Sequence, residues 1–143
     1  MIDFLIARLS TFNIVDSSSQ QKFLIKNNIL KKNKSTVFGS GSVSGVDLSR
    51  FMPNKKSFFN VRSTLSIPFD AFIFIFIGRL NSDKGVLDLA QAFAKLQDKS
   101  VYLLVVGPDE GNFADQIQKI NKHKLNQIRF ISYTKSPELY LAA

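Results

Sequence analysis

The run Gly78-Arg79-Leu80-Asn81-Ser82-Asp83-Lys84-Gly85 concentrates most of the chemistry this chain offers. Arg79 can fork two donors onto phosphate oxygens, and Lys84 adds a compact charge that needs less orientation. Gly78 permits a tight exit from the strand before it. Gly85 permits close backbone approach where the next helix would turn free N–H groups and partial positive charge toward an anion. Together these residues suit a diphosphate. The competing reading is that Arg79 and Lys84 are solvated charges and Asp83 only a helix cap; two cations on one glycine-bounded turn weaken it. The ending of a Walker loop and the three-glycine dinucleotide fingerprint are both missing, so a nicotinamide cofactor is not expected.

Other candidates carry less. Asp109 and Glu110 are neighbours on a turn, where adjacent side chains rarely converge on one bond, and a solvated loop is the better reading. His123, the single histidine, sits among Asn121, Lys122 and Lys124 and reads as a charge near a helix C-terminus. Without another histidine no serine or threonine has an evident base, which argues against a hydrolytic triad. Lys31, Lys32 and Lys34, with Lys22 and Lys26, form a basic patch that could face anionic lipid or acceptor phosphate; solvated lysines are the competing reading. Phe58 and Phe59 beside Lys55, Lys56 and Arg62 resemble a base-stacking surface, but packing of both rings into a linker is preferred.

The glycine-bounded turn needs a strand before it and a helix after it. Phe72 to Ile77 alternates phenylalanine and isoleucine and is apolar on both faces, as a central parallel strand covered by helices would be. After Gly85, Val86, Leu89 or Ala90, Phe93 and Leu96 or Ala94 recur at helical spacing. Val101 to Val106 reads as a second buried strand ended by Gly107. Phe113, Ile117, Ile120 and Lys124 line one face of another helix, and Ile128 to Ser132 is a third strand. Ser136-Pro137-Glu138 opens a last helix with serine at the cap and proline at its first position.

Upstream, Thr11 to Val15 reads as a strand. Asp16 to Gln21 supplies an N-cap with capping-box spacing for a helix to about Asn28, and Lys34 to Phe38 reads as another strand. Gly39 to Ser42 begins a long connection in which Asp47 can cap the single turn Leu48-Ser49-Arg50-Phe51 before Pro53. The stretch Asn54 to Ser66 shows no clear period. Strands alternating with helices give an α/β class, a doubly wound, Rossmann-like parallel sheet.

The 143 residues suffice for one domain and are too few for two full lobes. At 45% hydrophobic and 21% charged residues a folded core is expected. Cysteine is absent, which removes disulfides and thiolate chemistry and fits a reducing cytoplasm. The longest apolar run, Ala71 to Ile77, is far short of the ~20 residues a spanning helix needs, and the N-terminus shows no small-residue cleavage site after an apolar stretch. A formal charge of +8 favours anionic partners without choosing among nucleotide, nucleic acid and membrane surface.

Gly78-Arg79-Leu80 through Asp83-Lys84-Gly85 resembles the motif of family-four, retaining glycosyltransferases of the GT-B fold. Gly45 to Phe51 followed by Pro53 is similar to that family's linker into its C-terminal lobe, with Ser44 in place of the usual asparagine. Leu103 to Pro108 resembles its next strand and turn. Arg129-Phe130-Ile131 and Ser136 to Ala143 resemble the strand and helix that precede its acidic motif, with Ser132 where the family usually has glycine. The resemblance covers nearly the whole chain.

The resemblance implies residues 1–39 as the end of an N-terminal lobe, or the first strand, helix and strand of a fragment. Residues 40–67 would be a linker, and 68–143 a nucleotide-sugar binding domain incomplete at its C-terminus. Arg79 and Lys84, with Gly78 and Gly85, would hold the donor's diphosphate, and the loop Ser132 to Lys135, with Tyr133 and Thr134, would lie near its base. The family's paired glutamates would fall beyond Ala143, so no catalytic residue is expected within this chain and no transfer from it alone. Expected partners are a nucleotide-sugar donor and a glycan or lipid acceptor held by the missing lobe, with peripheral contact to an anionic membrane at its inner, cytoplasmic face. No metal, no cofactor and no nucleic acid are expected. A non-enzymatic anion- or nucleic-acid-binding α/β module is the alternative.

Overall fold

A computed structural model describes residues 2–42 and 45–143; Ser44, the position aligned with the family's linker asparagine, lies outside them. The chain divides into two compact units, residues 1–47 and 48–143.

In the first unit, helix α1 (Ile2–Leu9) precedes β1 (Asn13–Ile14), α2 (Ser18–Lys26) and β2 (Ser35–Thr36). Sequence reading leaves α1 unassigned, although Asp3 in its first turn and Arg8 in its last suit the helix dipole. None of its described residues is buried. The two strands, expected over residues 11–15 and 34–38, pair in parallel over two residues only, Asn13 with Ser35 and Ile14 with Thr36. A 3-10 turn at Lys32–Lys34 takes the start of the second. Helix α2 is capped as expected, since the Ser17 hydroxyl accepts from the Gln20 N–H at 3.1 Å. The Gln21 amide donates to the Ser35 carbonyl and hydroxyl oxygens, each at 3.0 Å, tying the helix to β2.

The second unit begins with a turn over residues 48–50 and then helix α3 (Lys55–Thr64), where the sequence shows no period. Asn54 caps it, its side-chain oxygen accepting from the Ser57 N–H at 3.0 Å. The period is hidden because the buried positions of α3 are polar, Ser57 and Arg62. Phe58 and Phe59 meet edge to face at 5.2 Å, and both contact Phe69. Arg62, only 6% exposed, lies over the Phe58 ring and donates to the carbonyls of Pro68, Ala71 and Ala143. Arg129 donates to those of Leu65 and Ser66. Two guanidinium groups thus satisfy the backbone of the connection from α3 into the sheet, where buried carbonyls need donors.

Strands β3 (Phe72–Ile77), β4 (Val101–Val106) and β5 (Ile128–Ile131) form a parallel sheet in that order, joined by α4 (Val86–Lys95) and α5 (Phe113–Ile120). The expected α/β class with parallel strands holds. Phe72 pairs with Val101 and Leu103 with Ile128, which puts Phe76, Val105 and Phe130 on one face. That face meets Val86, Ala90 and Phe93 of α4 and Ile117 of α5 in the core. The central strand is β4, whose Leu103 to Val106 are at most 1% exposed. Among the described residues the expected cover on both faces of β3 is not seen. Among the described residues β3 pairs only with β4, and Phe72 and Phe74 remain 60% and 43% exposed.

Helix α5 stops at Ile120, short of the Lys124 expected, and a 3-10 segment follows. Buried Asn121 breaks it by donating to the carbonyls of Ala90 and Ile117. Lys124 leaves the helical conformation and points its ammonium at the Phe93 and Leu96 carbonyls, closing the end of α4. The last helix, α6 (Pro137–Leu141), begins where the serine-proline-glutamate run places it, but the Ser136 side chain makes no capping hydrogen bond.

Candidate functional site

All three long strands run the same way, so the residues that follow them emerge together at the carboxyl edge of the sheet. The ladder continues one step past each strand: the Gly78 N–H donates to Val106 and the Gly107 N–H to Ile131, both at 2.9 Å. Gly107 has φ of +148°, and a Cβ there would lie 1.8 Å from the Gly78 carbonyl oxygen. Gly78 itself needs no special conformation, since a Cβ on it would make ordinary contact with the Phe76 ring at 3.6 Å. The close contact between the two strand ends therefore depends on Gly107. Gly85, with φ of +66°, is the left-handed joint between the 3-10 turn Ser82–Lys84 and α4.

A cleft of about 340 Å³ opens at this edge, lined by Gly78, Arg79, Gly107, Pro108, Tyr133 and Thr134 among others. It brings together Gly78 and Arg79 with Tyr133 and Thr134, residues far apart in the chain. Lys84 and Gly85 are not part of its lining; Lys84 stands exposed on the 3-10 turn beyond it. Tyr133 is 67% exposed, and the Thr134 hydroxyl accepts from the Ser136 N–H at 3.1 Å.

Asp109 and Glu110 are exposed on a loop, as expected, and both also accept hydrogen bonds. The Asp109 carboxylate accepts from the N–H groups of Gly111, Phe113 and Ala114 at 3.1, 2.9 and 3.0 Å and so caps α5. These bonds, that from Ala114 foremost, hold its pKa below the ordinary carboxylate value against some desolvation. Glu110 accepts from the Asn81 amide at 2.9 Å and from Arg79 Nη1 at 3.3 Å. The Asn81 bond and the Arg79 charge lower its pKa. No local sequence signal links Glu110 to a turn some thirty residues earlier; parallel pairing of the two strand ends does.

Elsewhere, His123 is exposed in the 3-10 segment after α5, and Lys22, Lys26, Lys31, Lys32 and Lys34 are exposed in the first unit. Among the described residues no helix is long and apolar enough to cross a membrane.

The family model described as "Glycosyl transferases group 1" matches residues 57–143. The capsular polysaccharide biosynthesis glycosyltransferase CapM of Staphylococcus aureus is 28% identical over 96% of this chain and 35% of its own length. The putative teichuronic acid biosynthesis glycosyltransferase TuaC of Bacillus subtilis is 36% identical over 41% of this chain and 16% of its own. Among solved structures, Anabaena HepE in complex with UDP and glucose superposes with a TM-score of 0.80 at 19% identity, over 97% of this chain and 38% of that one. A Rickettsia africae glycosyltransferase gives 0.75 at 22% identity, over 90% of this chain and 35% of that one. The structural likenesses establish the fold, and the chain spans about a third of the length of CapM.

Proposed function

Because the chain belongs to the glycosyl transferases group 1, we propose that it forms much of the donor-binding lobe of an enzyme that moves a sugar from a nucleotide-diphosphate donor to a glycan or lipid acceptor. In this reading Arg79 and Lys84 take up the diphosphate, Gly78 and Gly85 let the backbone approach it, and Tyr133 and Thr134 lie beside the base. One observation carries the reading: a cleft at the carboxyl edge of a parallel sheet presents Arg79 opposite an exposed tyrosine and a threonine. A donor diphosphate gains charge as the glycosidic bond breaks. Cations fixed beside it stabilise that transition state more than the ground state. The clamp draws its positive charge from side chains and calls for no metal. Residues 68–143 are the core of this lobe, and the acceptor is held by a part of the enzyme outside it. HepE was solved with UDP and glucose, which makes UDP a sensible first probe. The basic lysines of the first unit would keep such an enzyme near an anionic, inner membrane face.

Calorimetric titration of the chain with UDP, GDP and ADP tests the clamp. The tightest of the three should bind roughly tenfold more weakly to Arg79→Ala, as expected for loss of a charged hydrogen bond. Lys84→Ala should lose less, because its side chain must swing in from outside the cleft. Equal heats for wild type and both variants would sink the clamp.

A further inference from the structure

Arg79 has a single hydrogen bond among the described residues, to Glu110, and its side chain is otherwise 62% exposed. Free, so long a side chain would sample many rotamers. Glu110, by contrast, is held at both its backbone and its side chain. Its N–H donates to the Leu80 carbonyl at 3.1 Å, while the Leu80 N–H donates to Pro108 at 2.8 Å. Its second carboxylate oxygen accepts from Asn81 at 2.9 Å. Leu80, 2% exposed, is locked into the core, so Arg79 and Asn81 on either side of it point to the other face, as alternate residues of an extended segment must. One carboxylate collects both.

We propose that Glu110 is a positioning residue that aims Arg79 into the cleft, an inference that rests on the diphosphate clamp described above. It engages one guanidinium N–H and leaves four donors for phosphate oxygens. Glu110 does not touch the ligand; it reduces the freedom Arg79 must lose on binding. The opposite role is also chemically available, in which Glu110 occupies Arg79 as an internal anion that the diphosphate must displace. The two roles predict opposite signs for the same substitution.

The test is a double-mutant cycle read by calorimetry, using whichever of UDP, GDP and ADP binds wild type most tightly. Glu110→Gln keeps the side chain's size but cannot accept from Arg79 and Asn81 together. It should weaken binding about three- to fivefold, the range of an exposed ion pair, with the thermal midpoint unchanged. In an Arg79→Ala background the same change should cost nothing further, because a positioning residue acts only through the group it positions. Tighter binding by Glu110→Gln, unchanged binding, or an equal loss in both backgrounds would overturn the proposal while leaving the clamp intact. Wild-type affinity retained by Arg79→Ala, or no nucleotide binding by wild type, would instead remove the clamp and this inference with it.

Discussion

Glycines at the cleft divide into one that the backbone demands and one that it tolerates. The Cβ of an alanine at position 107 would overlap the Gly78 carbonyl oxygen, and the φ of +148° is one that side chains avoid. Gly107→Ala should therefore destabilise the second unit by at least ~1–3 kcal/mol, the usual cost of such strain. Gly78→Ala should stay within ~0.5 kcal/mol. Urea denaturation of the two variants side by side checks this, and equal midpoints would show the contact between the strands to be soft. Nothing in the sequence separates these glycines, since each follows an apolar strand. Only the pairing of β3 with β4 reveals which one is crowded. The neighbouring carboxylates show the same limit: Asp109 reaches across a loop to the first turn of α5, and Glu110 meets partners that chain order does not announce.

Elements whose apolar residues have a clear pattern were readable at their starts, although α5 ends at Ile120, four residues before the expected Lys124. Strands β3 and β4 occupy the expected residues, and α4 starts directly after Gly85. Helix α3 escaped because Arg62 and Ser57 replace the usual apolar stripe, although the packing preferred for Phe58 and Phe59 is seen in their contacts with each other and with Phe69. A fully apolar strand such as β3 reads the same at an edge and at a centre, so its neighbours are not legible from its own residues. Helix α5 offers a test at this scale. Asp109 has a lowered folded-state pKa, so its stabilisation is present above the unfolded value of about 3.9 and fades as pH falls through the folded value. Asp109→Ala should cost about 1 kcal/mol near neutral pH, as other cap removals do, and solvent screening keeps it from being larger. The gap between variant and wild type should close in strong acid. Hydrogen exchange of the first turn of α5 at both pH values measures it, and a gap that persists at low pH would assign the cost to something other than the ionised cap.

At the scale of the molecule, the charge of +8 makes nonspecific attraction to any polyanion a certainty at low salt. What separates the donor-binding reading from the alternative of a nucleic-acid-binding module is how affinity responds to salt. Binding of single-stranded nucleic acid should fall steeply between roughly 50 and 200 mM salt as displaced counterions cease to favour it. Nucleotide diphosphate in a lined cleft should change far less, and should depend on Arg79. Fluorescence anisotropy with both ligands across that range is the comparison; a nucleotide affinity that tracks the nucleic acid would favour the module. The resemblance seen in residues 78–85 and the match of residues 57–143 to the group 1 family agree. The packing of Gly107 against Gly78 has a last consequence for how such a site diversifies. The spacing of the two strand ends under the cleft is set by main chain against main chain, and the side chains around them can vary without changing it. Randomised libraries at Arg79, Tyr133 and Thr134 should yield many folded members with altered ligand preference, whereas a library at Gly107 should return almost only glycine.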